Sequence, residues 1–147
     1  MYPFTNYHDA LSRQSNKLIS DIEKAINGEY SAINCYAKLA NSTSNQTEKE
    51  RILEIRQDEI KHFSQFEQIY VSLTGRKPQP NIVEGCPDVY LAGLEFALQD
   101  EQKTVDFYLE ISDDTTNQHI KEVFRRAAAD EQNHAVWFLY YFSKNKS

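Results

Sequence analysis

Two short runs of this 147-residue chain carry residue types that can hold a metal ion: Asp58-Glu59-Ile60-Lys61-His62 and Asp130-Glu131-Gln132-Asn133-His134. Each contains Glu-x-x-His. On a helix a residue three places on lies about 60° round the axis, so the carboxylate and the imidazole leave by one face. Mixed carboxylate and imidazole donors suit iron or manganese. A further glutamate stands upstream of each pair at the same separation, Glu29 before Glu59 and Glu101 before Glu131. Sliding the chain against itself until Glu29 falls on Glu101 also matches Tyr36 to Tyr108, Asn45-Gln46 to Asn117-Gln118 and Lys49-Glu50 to Lys121-Glu122. The same shift matches Asp58-Glu59 to Asp130-Glu131, His62 to His134 and Phe66 to Phe138 without a gap, which makes an internal repeat.

One Glu from each of two helices, with Glu-x-x-His from each of two others, is the ligand set of di-iron and di-manganese carboxylate bundles. At these residues the sequence resembles the ferritin-like superfamily, closest to rubrerythrin-like (erythrin) domains, from about Asp21 to Phe142. The resemblance implies an all-α, ferritin-like four-helix bundle: two helical hairpins joined by a long crossover, a single domain over residues 1–147. It also implies two iron ions, with manganese as the alternative and zinc or copper as substitutes in purified protein. Glu59 and Glu131 would bridge the ions, while Glu29 with His62 and Glu101 with His134 would complete one ion each. Tyr36 and Tyr108 would hydrogen-bond metal carboxylates, the plain alternative being two core tyrosines with satisfied hydroxyls. Asp58 and Asp130 would each orient the histidine of the opposite pair, unless they simply face solvent.

The neighbours of these six residues decide between ligands and ordinary surface charges. All six fall on stripes shared with Leu, Ile and Phe. Four unpaired carboxylates in a bundle interior would each cost several kcal/mol or shift strongly toward the protonated form. Two divalent ions supply the opposite charge. Six protein ligands for two ions leave coordination positions for O2 or H2O2, as in a reactive site and unlike a closed structural one.

The stripes themselves define the elements. Apolar residues recur at helical spacing from roughly Tyr7 to Asn41, at Leu11, Leu18, Ile22, Ile26, Ile33, Leu39 and Ala40, after an opening arm to about Asn6. Thr47-x-x-Glu50 is a capping-box candidate for a second helix carrying Ile52, Ile55, Glu59, His62, Phe66, Ile69 and Leu73, closed by Gly75. The three prolines and one glycine between Arg76 and Pro87 exclude a helix and place the crossover at about 75–87. A third helix from about Asp88 to Ser112 presents Leu91, Leu94, Leu98, Glu101, Val105, Tyr108 and Ile111. After a turn at 113–117, a fourth runs from about Thr116 to Lys144 with Ile120, Phe124, Ala127, Glu131, His134, Phe138 and Tyr141 inward. The aromatic run at its end packs, with Trp137 and Tyr140 facing outward as candidates for a homodimer contact.

Composition narrows the function. A formal charge of −6 without a basic block argues against nucleic-acid binding, and no apolar run is long enough for a membrane span. Without a signal-peptide pattern at its start, the chain is expected to be cytoplasmic. Cys35 and Cys86 cannot make a four-cysteine metal site and are expected to be buried or half-buried thiols, a disulfide between them being the alternative that the sequence does not support. Met1 is the only methionine, so there is no counterpart to a haem-ligating methionine and no haem is expected. The short stretch from Ala135 to Ser147 leaves no room for the extra helix of ferritin cages, so cage storage is not expected. Thr104, three places after Glu101, stands where rubrerythrins carry one more glutamate. The leading expectation is a di-iron oxidoreductase that reduces H2O2 or O2 with electrons from a separate donor protein. A ferroxidase or iron-binding protein without cage storage, and a helical interaction module with a structural metal, remain open.

Overall fold

The computed structural model describes residues 2–146, and for residues 2–11 the backbone alone. Among the described residues it has four helices: α1 (Tyr2–Asn41), α2 (Gln46–Thr74), α3 (Tyr90–Asp114) and α4 (Gln118–Asn145). It is an all-α, ferritin-like four-helix bundle: α1 pairs with α2, α3 pairs with α4, and residues 75–89 cross between the hairpins. The expected opening arm is instead helical from Tyr2. Pro3 is no obstacle there, because the first turn needs no backbone donor from it. Leu11 of the expected stripe falls among the residues whose side chains are not described.

The helix ends follow from their sequences, with one correction. The cap of α2 is Asn45, whose Oδ1 accepts from the Glu48 N–H at 3.0 Å, rather than Thr47. Asn117, its counterpart in the repeat, caps α4 through the Ile120 N–H at the same distance. An Asn side chain reaches the free amides of the first turn as well as a hydroxyl does, and the extended backbone at both positions allows it. Gly75 ends α2 at φ 72°, where it donates to the Val71 carbonyl at 2.8 Å, a conformation that favours glycine.

The inward stripes bury two apolar clusters, one at each end of the bundle. Ile22, Ile26, Phe66, Ile69, Ile111 and Phe124 form one, and Leu39, Ile52, Ile55, Leu94, Phe138 and Tyr141 the other. Leu73, which the helical spacing places on the inward stripe, is instead 40% exposed in the last turn of α2. Trp137 is half-buried rather than outward, with the Arg51 guanidinium 4.1 Å over its ring, whereas Tyr140 is exposed.

The crossover is fastened along one face of α1. Asn81 N–H donates to Asn27 Oδ1 and Val83 N–H to Ser31 Oγ, each at 2.9 Å. Cys35 and Cys86 are joined in a disulfide with their Cα atoms 5.4 Å apart, which corrects the expectation of two thiols. Their wide separation in the sequence gave no hint of this, since only the return of the crossover along α1 brings the two together. Closing a loop of that length constrains the unfolded chain by about 4 kcal/mol in the chain-entropy account.

Candidate metal centre

Between the two apolar clusters lies a layer of buried charge: Glu29, Glu59, His62, Glu101, Glu131 and His134 are each at most 2% exposed. Glu29 comes from α1, Glu59 and His62 from α2, Glu101 from α3, and Glu131 and His134 from α4. Their donor atoms fall into two groups that share members. Glu29, Glu59, His62 and Glu131 offer one atom each, all within 4.8 Å of one another, and so do Glu59, Glu101, Glu131 and His134. Glu59 and Glu131 belong to both groups; the other four belong to one each.

A further layer of contacts crosses between the hairpins. Tyr36 Oη donates to Glu101 Oε1 at 2.5 Å, and Tyr108 Oη donates to Glu29 Oε1. Burial pushes both phenols well above their usual range, with the facing carboxylates adding to it, so each remains a neutral donor. His62 Nε2 lies 2.8 Å from Asp130 Oδ2, and His134 Nε2 lies 2.8 Å from Asp58 Oδ2. These contacts keep a proton on Nε2 and turn Nδ1 into the layer, where it can offer a lone pair to a metal ion once any proton of its own is displaced. His62 Nδ1 faces Glu131, Glu29 and Glu59 oxygens at 3.1, 3.4 and 3.4 Å, and His134 Nδ1 faces Glu59 and Glu101 at 3.3 and 3.6 Å.

Six buried side-chain atoms have no hydrogen-bond partner among the described residues: Glu29 Oε2, Glu59 Oε1, His62 Nδ1, Glu101 Oε2, Glu131 Oε1 and His134 Nδ1. There is one from each residue of the layer. Buried polar atoms are nearly always paired, and leaving one orphaned costs about 1–3 kcal/mol. Here the orphans converge, lone pair toward lone pair, which only protons or cations can relieve.

Without a cation, protons must share the layer. Burial, and then the Glu59 charge, raise Glu29 to about 8. Burial also raises Glu101 and places Glu131 well above the usual carboxylate range, with neighbouring carboxylates adding to both shifts. For Glu59 burial acts in the same direction, but the two histidines outweigh it and hold the group low. Burial opposes charge on the imidazoles, yet Asp130 at Nε2 and the Glu29 carboxylate facing Nδ1 push His62 up to about 12, and the Glu101 and Glu59 carboxylates facing Nδ1 push His134 up to about 11. Charge-balanced binding of two divalent ions would displace these protons.

Two further acidic groups, one half-buried and one buried, stand outside the pattern of the repeat. Asp100 is half-buried beneath the crossover, its carboxyl raised to about 8 by burial and then by Glu84 of the crossover. The repeat pairs Asp100 with Gly28, so the shift that found the other residues could not find it. Glu48 is 1% exposed at one end of the bundle, where it accepts from Tyr90, Asn145 and Lys144 at 2.7, 2.9 and 3.2 Å. Its bonds are complete, and it holds the ends of three helices together. Thr104, at the position of the additional rubrerythrin glutamate, donates to the Asp100 carbonyl of its own helix at 2.8 Å.

A bundle of two helical hairpins enclosing such a layer defines the class of di-metal carboxylate proteins. The family model described as Rubrerythrin matches residues 93–147. The uncharacterized protein YhjR of Bacillus subtilis (strain 168) is 52% identical over 129 residues, covering 88% of this chain and 89% of that protein. A ferritin-like, diiron-carboxylate protein of Bacillus anthracis str. Ames superposes with a TM-score of 0.73 at 27% identity, over 88% of this chain and 97% of that one. A hypothetical protein of Pyrococcus furiosus shares the fold with a TM-score of 0.76 at 19% identity, over 86% and 88% of the two chains. The chain belongs to the ferritin-like/rubrerythrin-like superfamily.

Proposed function

We propose that the protein is a di-iron oxidoreductase that reduces hydrogen peroxide or dioxygen, drawing its electrons from a separate donor. The observation that carries this reading is the set of six orphaned donor atoms, one from each of Glu29, Glu59, His62, Glu101, Glu131 and His134. Hard carboxylate oxygens with two imidazole nitrogens fit iron, or manganese in its place. The structural neighbour from Bacillus anthracis, a diiron-carboxylate protein, supports the same choice.

When bound, a pair of iron ions supplies the reversible electron store and the binding place for an oxygen substrate. The chain's own residues do the rest. Glu59 and Glu131 would span both ions; Glu29 with His62 and Glu101 with His134 would hold one each. Tyr36 and Tyr108 hold the outer carboxylates in orientation, while Asp130 and Asp58 fix the imidazole tautomers. The apolar clusters on either side exclude bulk water and so limit competing chemistry. With only six protein ligands for two ions, an oxygen substrate has positions to occupy.

Stopped-flow mixing of the fully reduced, iron-loaded protein tests the proposal. Reoxidation by H2O2 much faster than by O2 is expected of a peroxide reductase. A marked preference for O2 with no reducing turnover would support a ferroxidase instead, and no reaction with either would leave the metal a structural role.

A further inference from the structure

We propose that the Cys35–Cys86 pair is a second redox site, at which an external dithiol hands two electrons to the protein by disulfide exchange. Its coupling to the metal layer rests on the peroxide-reducing reading above.

Position carries the inference. Cys35 is 5% exposed on α1, whereas Cys86 lies half-buried in the crossover, so Cys86 is the residue of the pair more open to an incoming thiolate. The Lys38 ammonium donates to the Cys86 carbonyl at 3.2 Å, one helical turn beyond Cys35, and also pairs with Asp88. The crossover has other fastenings, Asn81 to Asn27 and Val83 to Ser31, that hold Cys86 beside α1 when the sulfur bond is open. On the inner side, the residue after Cys35 is Tyr36, whose hydroxyl holds Glu101 of the metal layer. The repeat places Phe107 opposite Cys35, so the pair lies outside the duplicated framework that builds the metal layer.

The chemistry balances without a one-electron carrier. A donor thiolate attacks Cys86 Sγ, the Cys35–Cys86 bond breaks, and Cys35 leaves as a thiolate that takes up a proton. The second donor thiol then resolves the mixed disulfide, releasing a donor disulfide and leaving two thiols in the protein. Those two thiols carry the two electrons and two protons that convert one H2O2 into two H2O as the Cys35–Cys86 bond re-forms.

Dithiothreitol and alkylation test the exchange on metal-free protein. Native protein treated with dithiothreitol and then iodoacetamide should gain the mass of two carbamidomethyl groups, with an unchanged far-ultraviolet CD spectrum. Labelling that requires denaturant would overturn the proposal and make the bond a staple. In the second measurement, one equivalent of H2O2 is added to the dithiol form. Thiols should disappear at least ten times faster in iron-loaded than in metal-free protein, and equal rates would overturn the coupling. Peroxide consumption by the iron-loaded protein is finally compared using reduced methyl viologen or dithiothreitol as donor. Turnover with both supports the proposal, and turnover with viologen alone overturns the exchange step while sparing the peroxide-reducing reading. Turnover with dithiothreitol alone supports the proposal as turnover with both does, and failure with both donors removes the peroxide-reducing reading, and the coupling with it.

Discussion

Glu59 and Glu131 face both donor groups, whereas Glu29 and Glu101 face one each, and this difference should appear in metal content. Glu59→Ala should lose both ions and Glu29→Ala chiefly one, measured as iron per chain after reconstitution; equal losses would undo the bridging and terminal roles. The aspartates should differ from each other as well. The Asp130 side chain is 14% exposed and also held by Arg126 at 3.0 Å, while Asp58 is 49% exposed. Removing a partner of a metal-binding histidine typically lowers affinity about 10–100-fold. Asp130→Asn should therefore weaken iron binding toward the upper end of that range, and Asp58→Asn less, because water can replace the exposed carboxylate; titration of each variant with Fe2+ checks the order. The six donors were legible in the sequence because each recurs at one fixed offset and sits among apolar neighbours. Asp100 and Cys35 were not, since their counterparts are Gly28 and Phe107 and what makes them matter is the path of the crossover.

At the scale of the elements, four long apolar stripes bracket the charged layer from both ends, so the helices do not depend on metal for their burial. Metal-free protein should keep its helical far-ultraviolet CD, and a coil-like spectrum would point to a structural metal. Its stability should nevertheless fall as pH rises. Glu29 is raised from 4.5 to about 8 in the fold, so the folded chain holds a proton that the unfolded chain releases, and this contribution is lost between those values. His62 and His134 act with the same sign: their contribution is complete below the unfolded value of 6.5 and is lost as pH climbs toward about 12 and about 11. The melting temperature of metal-free protein should thus decline from pH 5 to pH 9. Iron-loaded protein should show the opposite slope at the acid end, where protons compete with the ions. Parallel thermal melts across that range decide it. Helix boundaries were readable from caps and prolines to within a few positions, except at Tyr2, where no residue type separates an arm from a helix that continues outward.

For the whole molecule, the two donor groups are related by the repeat, and an approximate twofold axis should pass between the ions. Both ions should see two shared carboxylates, one carboxylate of their own and one imidazole, about 3.5–4 Å apart as in other two-metal sites. A metal-loaded crystal structure would show it, and His62 and His134 on a single ion would break it. The crossover and the disulfide are the chief departures from that symmetry, and both lie on the α1 side that faces Glu101 through Tyr36. Any difference in reactivity between the two ions should therefore trace to that side.

Each hairpin supplies three donors to the layer, yet the bonds that hold those donors in place come from the other hairpin: Tyr108 and Asp130 serve the first, Tyr36 and Asp58 the second. Neither half is self-sufficient. Two copies of one hairpin, facing each other across the same axis, would nevertheless regenerate every ligand and every supporting bond. The chain has the anatomy of a fused pair of interchangeable halves. The crossover is the seam between those halves.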